Sequence, residues 1–126
     1  MHVLMVDDET DFLDIMKKRL GRRSMEVTTA PDARTGIAHV DAMKRGTGPA
    51  FDVVVMDVRM PGMDGLEALT EIKNRIPTLP VILLTGHASV GIAVQGMESG
   101  AFDYLLKPVS LNELILKMEE AAHAAR

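Results

Sequence analysis

Five side chains in this sequence stand where apolar runs stop, and as a set they could move a phosphoryl group. Val3-Leu4-Met5-Val6 runs into Asp7-Asp8-Glu9, and Val53-Val54-Val55-Met56 runs into Asp57. Val81-Ile82-Leu83-Leu84 runs into Thr85, and Tyr104-Leu105-Leu106 into Lys107. A carboxylate can attack phosphorus and form an acyl phosphate. Neighbouring carboxylates are hard oxygen ligands, and in a shallow, wet site they favour Mg²⁺, which keeps several waters. A lysine and a hydroxyl can then neutralise and bind phosphoryl oxygens, because this chemistry is mainly positioning and electrostatics. Each residue alone has a plainer explanation. Asp7-Asp8 could simply sit at a helix start, where the dipole favours acids, and a strand-end lysine or threonine is commonplace. None of this explains a lone acid at the end of the most apolar run in the chain.

The elements that must position these groups are legible in order. Residues 3–6 form a short strand of the kind buried on both faces. A helix follows from Thr10, with Phe12, Ile15, Met16 and Leu20 at helical spacing and Gly21 at the expected C-cap. Residues 26–30 are a more polar, edge-like strand. Pro31-Asp32 opens a helix carrying Ala33, Ile37 and Val40 and ending near Gly46. A Gly/Pro loop leads to the strand 51–57, and the turn 61–65 leads to a helix built on Leu66, Leu69, Ile72 and Ile76, stopped by Pro77. Strand 81–84 precedes a helix at 89–99 whose apolar residues are Val90, Val94 and Met97. Gly91 and Gly96 interrupt it, each at a cost of about 1 kcal/mol relative to Ala, so it should be the least stable helix. Strand 104–106 and a capping box from Ser110 to Glu113 introduce the last helix, with Leu111, Leu114, Ile115 and Met118 on one stripe.

Five β-α repeats require a doubly wound α/β sandwich, a parallel sheet with helices on both faces. Right-handed crossovers leave few topologies, of which the flavodoxin-like strand order 2-1-3-4-5 is expected. Ligands then bind outside the carboxyl ends of strands 1 and 3, so Asp7-Asp8 and Asp57 should meet although they lie fifty residues apart. Two carboxylates about 4 Å apart repel by about 4 kcal/mol at an effective dielectric of about 20. Such a crevice must take up protons or a cation.

Composition narrows the class. At 126 residues, the chain fits one domain spanning 1–126. Ten Met and abundant aliphatics must fill a core that has three Phe, one Tyr and no Trp. The absence of cysteine excludes a disulfide framework and a thiolate nucleophile. No apolar run approaches the ~18 residues of a membrane span, and the acidic start does not read as a signal peptide; a cytoplasmic location is expected. A formal charge of −4 argues against direct nucleic-acid binding by this segment.

The motifs VDD (6–8), MDVRMPGMDG (56–65), TGH (85–87) and DYLLKP (103–108) resemble the response-regulator receiver domain of two-component signalling, over the whole chain. That resemblance implies that Asp57 is the phosphoacceptor, phosphorylated from a sensor histidine kinase or phosphotransfer protein. It implies Mg²⁺, with Mn²⁺ as a substitute, held by Asp8, Asp57 and the backbone carbonyl of Arg59, with Asp7 acting through water. Lys107 would contact the phosphoryl group, Thr85 would swing toward it, and Tyr104 would be the coupled switch aromatic. Lys107-Pro108 would be a cis bond, and Arg59 and His87 would border the site and influence phosphoryl lifetime. The face formed by the helix 89–99 and strand 104–107 would change conformation. TGHAS and AFDYLLKP look most like receivers attached to sigma-factor ATPase activators or related DNA-binding regulators, which implies a C-terminal effector domain or output partner and a phosphorylation-dependent homodimer. The resemblance is to a signalling domain that assists its own phosphorylation and dephosphorylation, not to an enzyme.

Other readings of the same residues fare worse. An aspartate-nucleophile phosphohydrolase needs an acid two residues beyond the nucleophile, where this chain has Arg59. A nucleotide-binding protein would carry G-x-x-x-x-G-K-[ST] or G-x-G-x-x-G, and neither occurs. A phosphorylation-independent interaction module of the same fold is the alternative, but it would have no use for the acid set. His2, His39 and His123 share no ligand spacing.

Overall fold

Runs of Val, Leu and Met with no polar side to offer water are stable only as strands covered on both faces. In the computed structural model, which describes residues 1–86 and 90–125, these runs assemble into one parallel sheet. Its strands are β1 (His2–Val6), β2 (Glu26–Ala30), β3 (Val53–Met56), β4 (Val81–Thr85) and β5 (Asp103–Leu106), in the order β2-β1-β3-β4-β5. Central β3 and β4 are buried throughout, while the edge strands β2 and β5 are partly exposed. Helices α1 (Thr10–Gly21), α2 (Ala33–Arg45), α3 (Gly65–Arg75), α4 (Val90–Glu98) and α5 (Leu111–Ala124) return the chain between and after the strands.

The pleat divides the core. Leu4, Val6, Val54 and Met56 pack with Ile37 and Val40 of α2 and with Leu69 and Ile72 of α3. Val3, Met5, Val53 and Val55 pack on the opposite face with Leu13, Met16 and Leu20 of α1 and with Leu114 and Met118 of α5. The doubly wound, flavodoxin-like reading is therefore correct. Register does the rest: Val6 of β1 pairs Met56 of β3, so the next residues, Asp7 and Asp57, leave the sheet side by side.

Several boundaries differ from the sequence pattern, each for a local reason. Gly21 is not the C-cap of α1; it is the last helical residue, Arg22 caps in a right-handed conformation, and the left-handed residue is Ser24 with φ 64°. The strand expected at 51–57 is shorter, Val53–Met56. At its start Asp52 N–H donates to His2 O at 2.8 Å, while the His2 N–H goes to the Asp52 carboxylate, also at 2.8 Å, and not to a backbone carbonyl. Caps elsewhere follow the sequence. Asp32 and Asp64 accept from the amides of Thr35 and Glu67, and Ser110 accepts from Glu113 at 3.1 Å. Gly46 ends α2 at φ 75°, where glycine carries no Cβ penalty.

The helix α4 departs most. Its periodic apolar residues Val90, Val94 and Met97 face water, with Val90 82% exposed. The inward face is small instead: Ile92 packs on the core, and Gly96 is buried so close to the sheet that a Cβ would sit 2.7 Å from Leu83 Cδ1. Ile15 of α1, expected in the buried stripe, is likewise half exposed.

The two α4 glycines should therefore answer differently to one substitution. Gly91 is exposed, so Gly91→Ala should stabilise by about 0.5–1 kcal/mol through helix propensity and slow amide exchange in α4. Gly96→Ala should destabilise by about 1–3 kcal/mol through overpacking. Urea denaturation with amide hydrogen exchange of both variants checks this.

Candidate functional site

The carboxyl rim of the sheet collects the charged strand-end residues. Asp7 and Asp57 are 2% and 5% exposed, among the few polar residues this deeply buried, whereas Asp8 beside them faces solvent. One carboxylate oxygen from each of Asp7, Asp8 and Asp57 lies within 4.8 Å of the others. Backbone bonds fix the acids in place. Asp7 N–H donates to Ala30 O of β2 at 3.1 Å, and Asp57 N–H donates to Val6 O of β1 at 3.0 Å. The chain beyond Asp57 is held by Gly65, whose N–H donates to Val58 O at 2.7 Å. A Cβ on Gly65 would collide with the Asp57 carbonyl oxygen and lie 2.7 Å from Val58 Cα. Both are backbone atoms that cannot step aside, so only glycine lets α3 start this close to the acid.

Lys107 enters from the end of β5. Its Nζ donates to Asp7 Oδ2 at 2.6 Å and to Glu9 Oε1 at 3.2 Å, and lies 3.6 Å from Asp57 Oδ2. Its backbone N–H donates to Thr85 O at 2.9 Å, and the Lys107–Pro108 peptide is cis. Thr85 is fully buried at the end of β4. Tyr104 is half-buried in β5, paired in register with Leu83 of β4. Arg59 is exposed in the loop after β3, and His87 lies outside the described residues.

Lys107 pairs with three carboxylates, Asp7, Glu9 and Asp57, and Asp8 adds a fourth acid beside two of them, so among the described residues the rim carries excess negative charge. At 4.8 Å each like-charge pair costs about 3–4 kcal/mol at an effective dielectric of about 20. Burial pushes the Asp7 carboxyl above the ordinary carboxylate range, against the opposing pull of Lys107. Burial also works against the Lys107 ammonium, but the hydrogen bond and charge of Asp7, with Asp57 and Glu9, outweigh it and raise the lysine above its ordinary value. Both groups bind protons more tightly in the folded state. Each contribution to stability is thus complete below the group's unfolded value and lost as pH rises through its folded one. For Asp7 that window begins at the ordinary carboxylate range; for Lys107 it lies in strongly alkaline solution.

Asp57 Oδ1 is a fully buried oxygen with no hydrogen-bond partner among the described residues. Buried carboxylate oxygens are ordinarily satisfied; this one, with two further acids converging on it, fits a site for a hard cation. Sequence reasoning had brought Asp7, Asp8, Asp57, Thr85 and Lys107 to this rim, and all are there. It missed Glu9 and Phe12, whose ring lies 4.4 Å from Lys107 Nζ, and the close approach of Gly65. Nothing in a single glutamate or phenylalanine at a helix start points to a lysine nearly a hundred residues on.

A family model described as the response regulator receiver domain matches residues 3–119. The chain belongs to that family. It is 38% identical over 119 residues to the DNA-binding transcriptional regulator NtrC of Escherichia coli (strain K12), covering 94% of this chain and 24% of that protein. It is 37% identical over 124 residues to the C4-dicarboxylate transport transcriptional regulatory protein DctD of Pseudomonas aeruginosa, covering 98% of this chain and 26% of that protein. The chain thus spans about a quarter of the length of these curated relatives. Among solved structures it resembles a CheY-like receiver domain protein from Methanospirillum hungatei JF-1, with TM-score 0.89, 31% identity and coverage of 98% of this chain and 94% of the other. NtrX from Brucella abortus aligns with TM-score 0.86 and 34% identity over 98% of this chain and 27% of that one. As a receiver domain, the chain is a signalling domain rather than an enzyme in the usual sense. Among the described residues no helix is long and apolar enough to cross a membrane.

Removing charge from the rim should relieve its repulsion. Asp57→Asn should raise stability by about 1–2 kcal/mol in chelator, and the gain should shrink as a divalent cation is added, both read from urea denaturation. Equal stability of the two proteins in chelator would contradict the charge assignment.

Proposed function

We propose that the chain is a phosphorylation-operated switch in which Asp57 accepts a phosphoryl group from a phosphohistidine of a sensor histidine kinase or phosphotransfer protein. The observation that carries this is the Asp57 carboxylate itself: buried, with Oδ1 unpartnered, flanked by two acids and 3.6 Å from a lysine ammonium. In the reaction, an Asp57 oxygen forms a bond to phosphorus as the bond from phosphorus to imidazole nitrogen breaks, and the electron pair returns to the ring. Asp8, Asp57 and the backbone carbonyl of Arg59 would hold Mg²⁺ or Mn²⁺, with Asp7 reaching it through water. When bound, the cation supplies neutralisation of the acids and of phosphoryl oxygens. Lys107 supplies the second positive charge, and burial of Asp57 limits attack by water on the product. A groove of about 520 Å³ beside Lys107, walled by Phe12, Ile15, Met16 and Val109, offers a donor protein an apolar approach to this end of the sheet.

The output is a shift between two conformers, biased by new phosphoryl contacts to Thr85 and Lys107. Thr85 and Lys107 already share a backbone bond, and Tyr104 stands on the adjoining strand, so a movement of the Thr85 hydroxyl is passed to Tyr104 and α4. The face that would respond carries the exposed Val90, Val94, Met97 and Leu106. It would engage an effector domain C-terminal to the receiver, an output partner or a second phosphorylated copy, without direct nucleic-acid contact by this segment. The unit is the receiver at 1–126, acting in the cytoplasm; Arg59 and His87 would tune phosphoryl lifetime. A phosphorylation-independent interaction module does not account for the unpartnered buried acid.

Incubated with Mg²⁺ and acetyl phosphate, the protein should gain one phosphoryl group by intact mass, and Asp57→Asn should gain none. No gain by the wild type, or equal gain by Asp57→Asn, would end this reading. Thr85→Val, which keeps volume and removes the hydroxyl, should still be phosphorylated but lose the backbone amide shift changes at Tyr104 and along α4 that the wild type shows on phosphorylation.

A further inference from the structure

Glu9 is a helix N-cap residue that does not cap. Ser, Thr, Asp or Asn ordinarily holds this position, because a short side chain reaches the free amides of the first turn. Glu9 stands there with φ −81° and ψ 91°, and its carboxylate makes no cap bond. It turns back instead and takes Lys107 Nζ at 3.2 Å. From the first turn of α1, Phe12 presents its ring to the same ammonium at 4.4 Å, a cation–π distance. Lys107 Nζ is consequently drawn toward the loop between β1 and α1, to Asp7 at 2.6 Å and Glu9 at 3.2 Å, and stands off Asp57 at 3.6 Å. Asp7 already belongs to the acid cluster, but the Glu9 side chain is 65% exposed and has no other hydrogen bond or ion pair among the described residues.

We infer that Glu9 and Phe12 form a restraint on Lys107 that phosphoryl uptake must loosen, making Glu9 a positioning residue that sets the phosphorylation rate; this rests on Asp57 being the phosphoacceptor. An ammonium has three N–H donors and no fixed plane. Two carboxylates and a ring face engage it from the α1 side, so turning a donor onto a phosphoryl oxygen above Asp57 means surrendering the most exposed of those contacts. That contact is the one to Glu9. Because it is exposed, it is weak enough to be given up on each cycle yet strong enough to slow the step.

The test compares four full chains, namely wild type, Glu9→Gln, Phe12→Leu and Asp11→Asn. Asp11 is an exposed acid in the first turn of the same helix, so Asp11→Asn changes local charge without touching the restraint. Phe12→Leu removes the ring without changing charge. With Mg²⁺ and acetyl phosphate, Glu9→Gln and Phe12→Leu should each be phosphorylated about two- to fivefold faster than wild type, the range that interactions of this exposure supply. Asp11→Asn should match wild type. Without donor, the ¹⁵Nζ ammonium signal of Lys107 should exchange slowly with water in wild type and Asp11→Asn, and faster in the other two. An unchanged or slower Glu9→Gln, equal acceleration by Asp11→Asn, or a Lys107 signal indifferent to both Glu9 and Phe12 would overturn the inference. If wild type takes up no phosphoryl group, the phosphoacceptor reading fails, and the inference built on it falls too; the ammonium signals then report only whether Glu9 and Phe12 hold Lys107 at rest.

Discussion

Three clustered aspartates, with Glu9 close by and one lysine among them, do not stay together of their own accord, and the fold's main accomplishment is to hold them. Each close like-charge pair costs about 3–4 kcal/mol, a large fraction of the net stability of a domain of this size. The opposing force is the burial of Val3–Val6 and Val53–Met56, whose side chains each contribute about 1.5–3 kcal/mol on leaving water. Those two strands pair in a single register, Val6 to Met56. A slip of one residue would exchange the side chains between the two faces of the sheet, and each face packs a different pair of helices. The apolar strands thus hold the acids at a spacing that the acids, left alone, would abandon.

That enforced imbalance makes the rim receptive. Lys107 neutralises part of the negative charge, and its attraction to Asp7, Glu9 and Asp57 keeps it charged despite burial. What remains, including the unpartnered oxygen of Asp57, is an appetite for further positive charge. A site of this kind gains more from cation binding than a neutral one would, and on the proposed function phosphoryl uptake would rearrange the contacts of the lysine rather than create a site from nothing. The backbone bond from Lys107 to Thr85 joins the ends of β4 and β5, and through it the proposed rearrangement would reach α4.

Helix α4 is suited to respond because it is held lightly. Among its described residues only Gly96 is buried; Ile92 is partly buried against the core, and Val90, Val94 and Met97 stand in solvent. A helix anchored by a glycine approach and Ile92 has little packing energy to lose when it shifts, in contrast with α5, which buries Leu114, Ile115, Met118, Ala121 and Ala122.

The sequence by itself determined the alternation of elements, the buried strands, and the residue at the end of each, because period and turn chemistry are local properties that every few residues repeat. From these, topology rules alone bring Asp7, Asp8, Asp57, Thr85 and Lys107 to one rim. Tertiary structure decided what periodicity leaves open. Val90, Val94 and Met97 have helical spacing, but spacing shows only that a helix has a face, not whether a neighbour covers it; the close approach of Gly96 to Leu83 turned the other side inward. Glu9 and Phe12 look like ordinary helix-start residues until β5 delivers Lys107 beside them from about a hundred positions away. Gly65 reads as a turn glycine until its backbone lies against the Asp57 carbonyl. In each case the deciding contact joins segments far apart in the chain, and a local pattern carries no information about which distant side chain the fold will set against it.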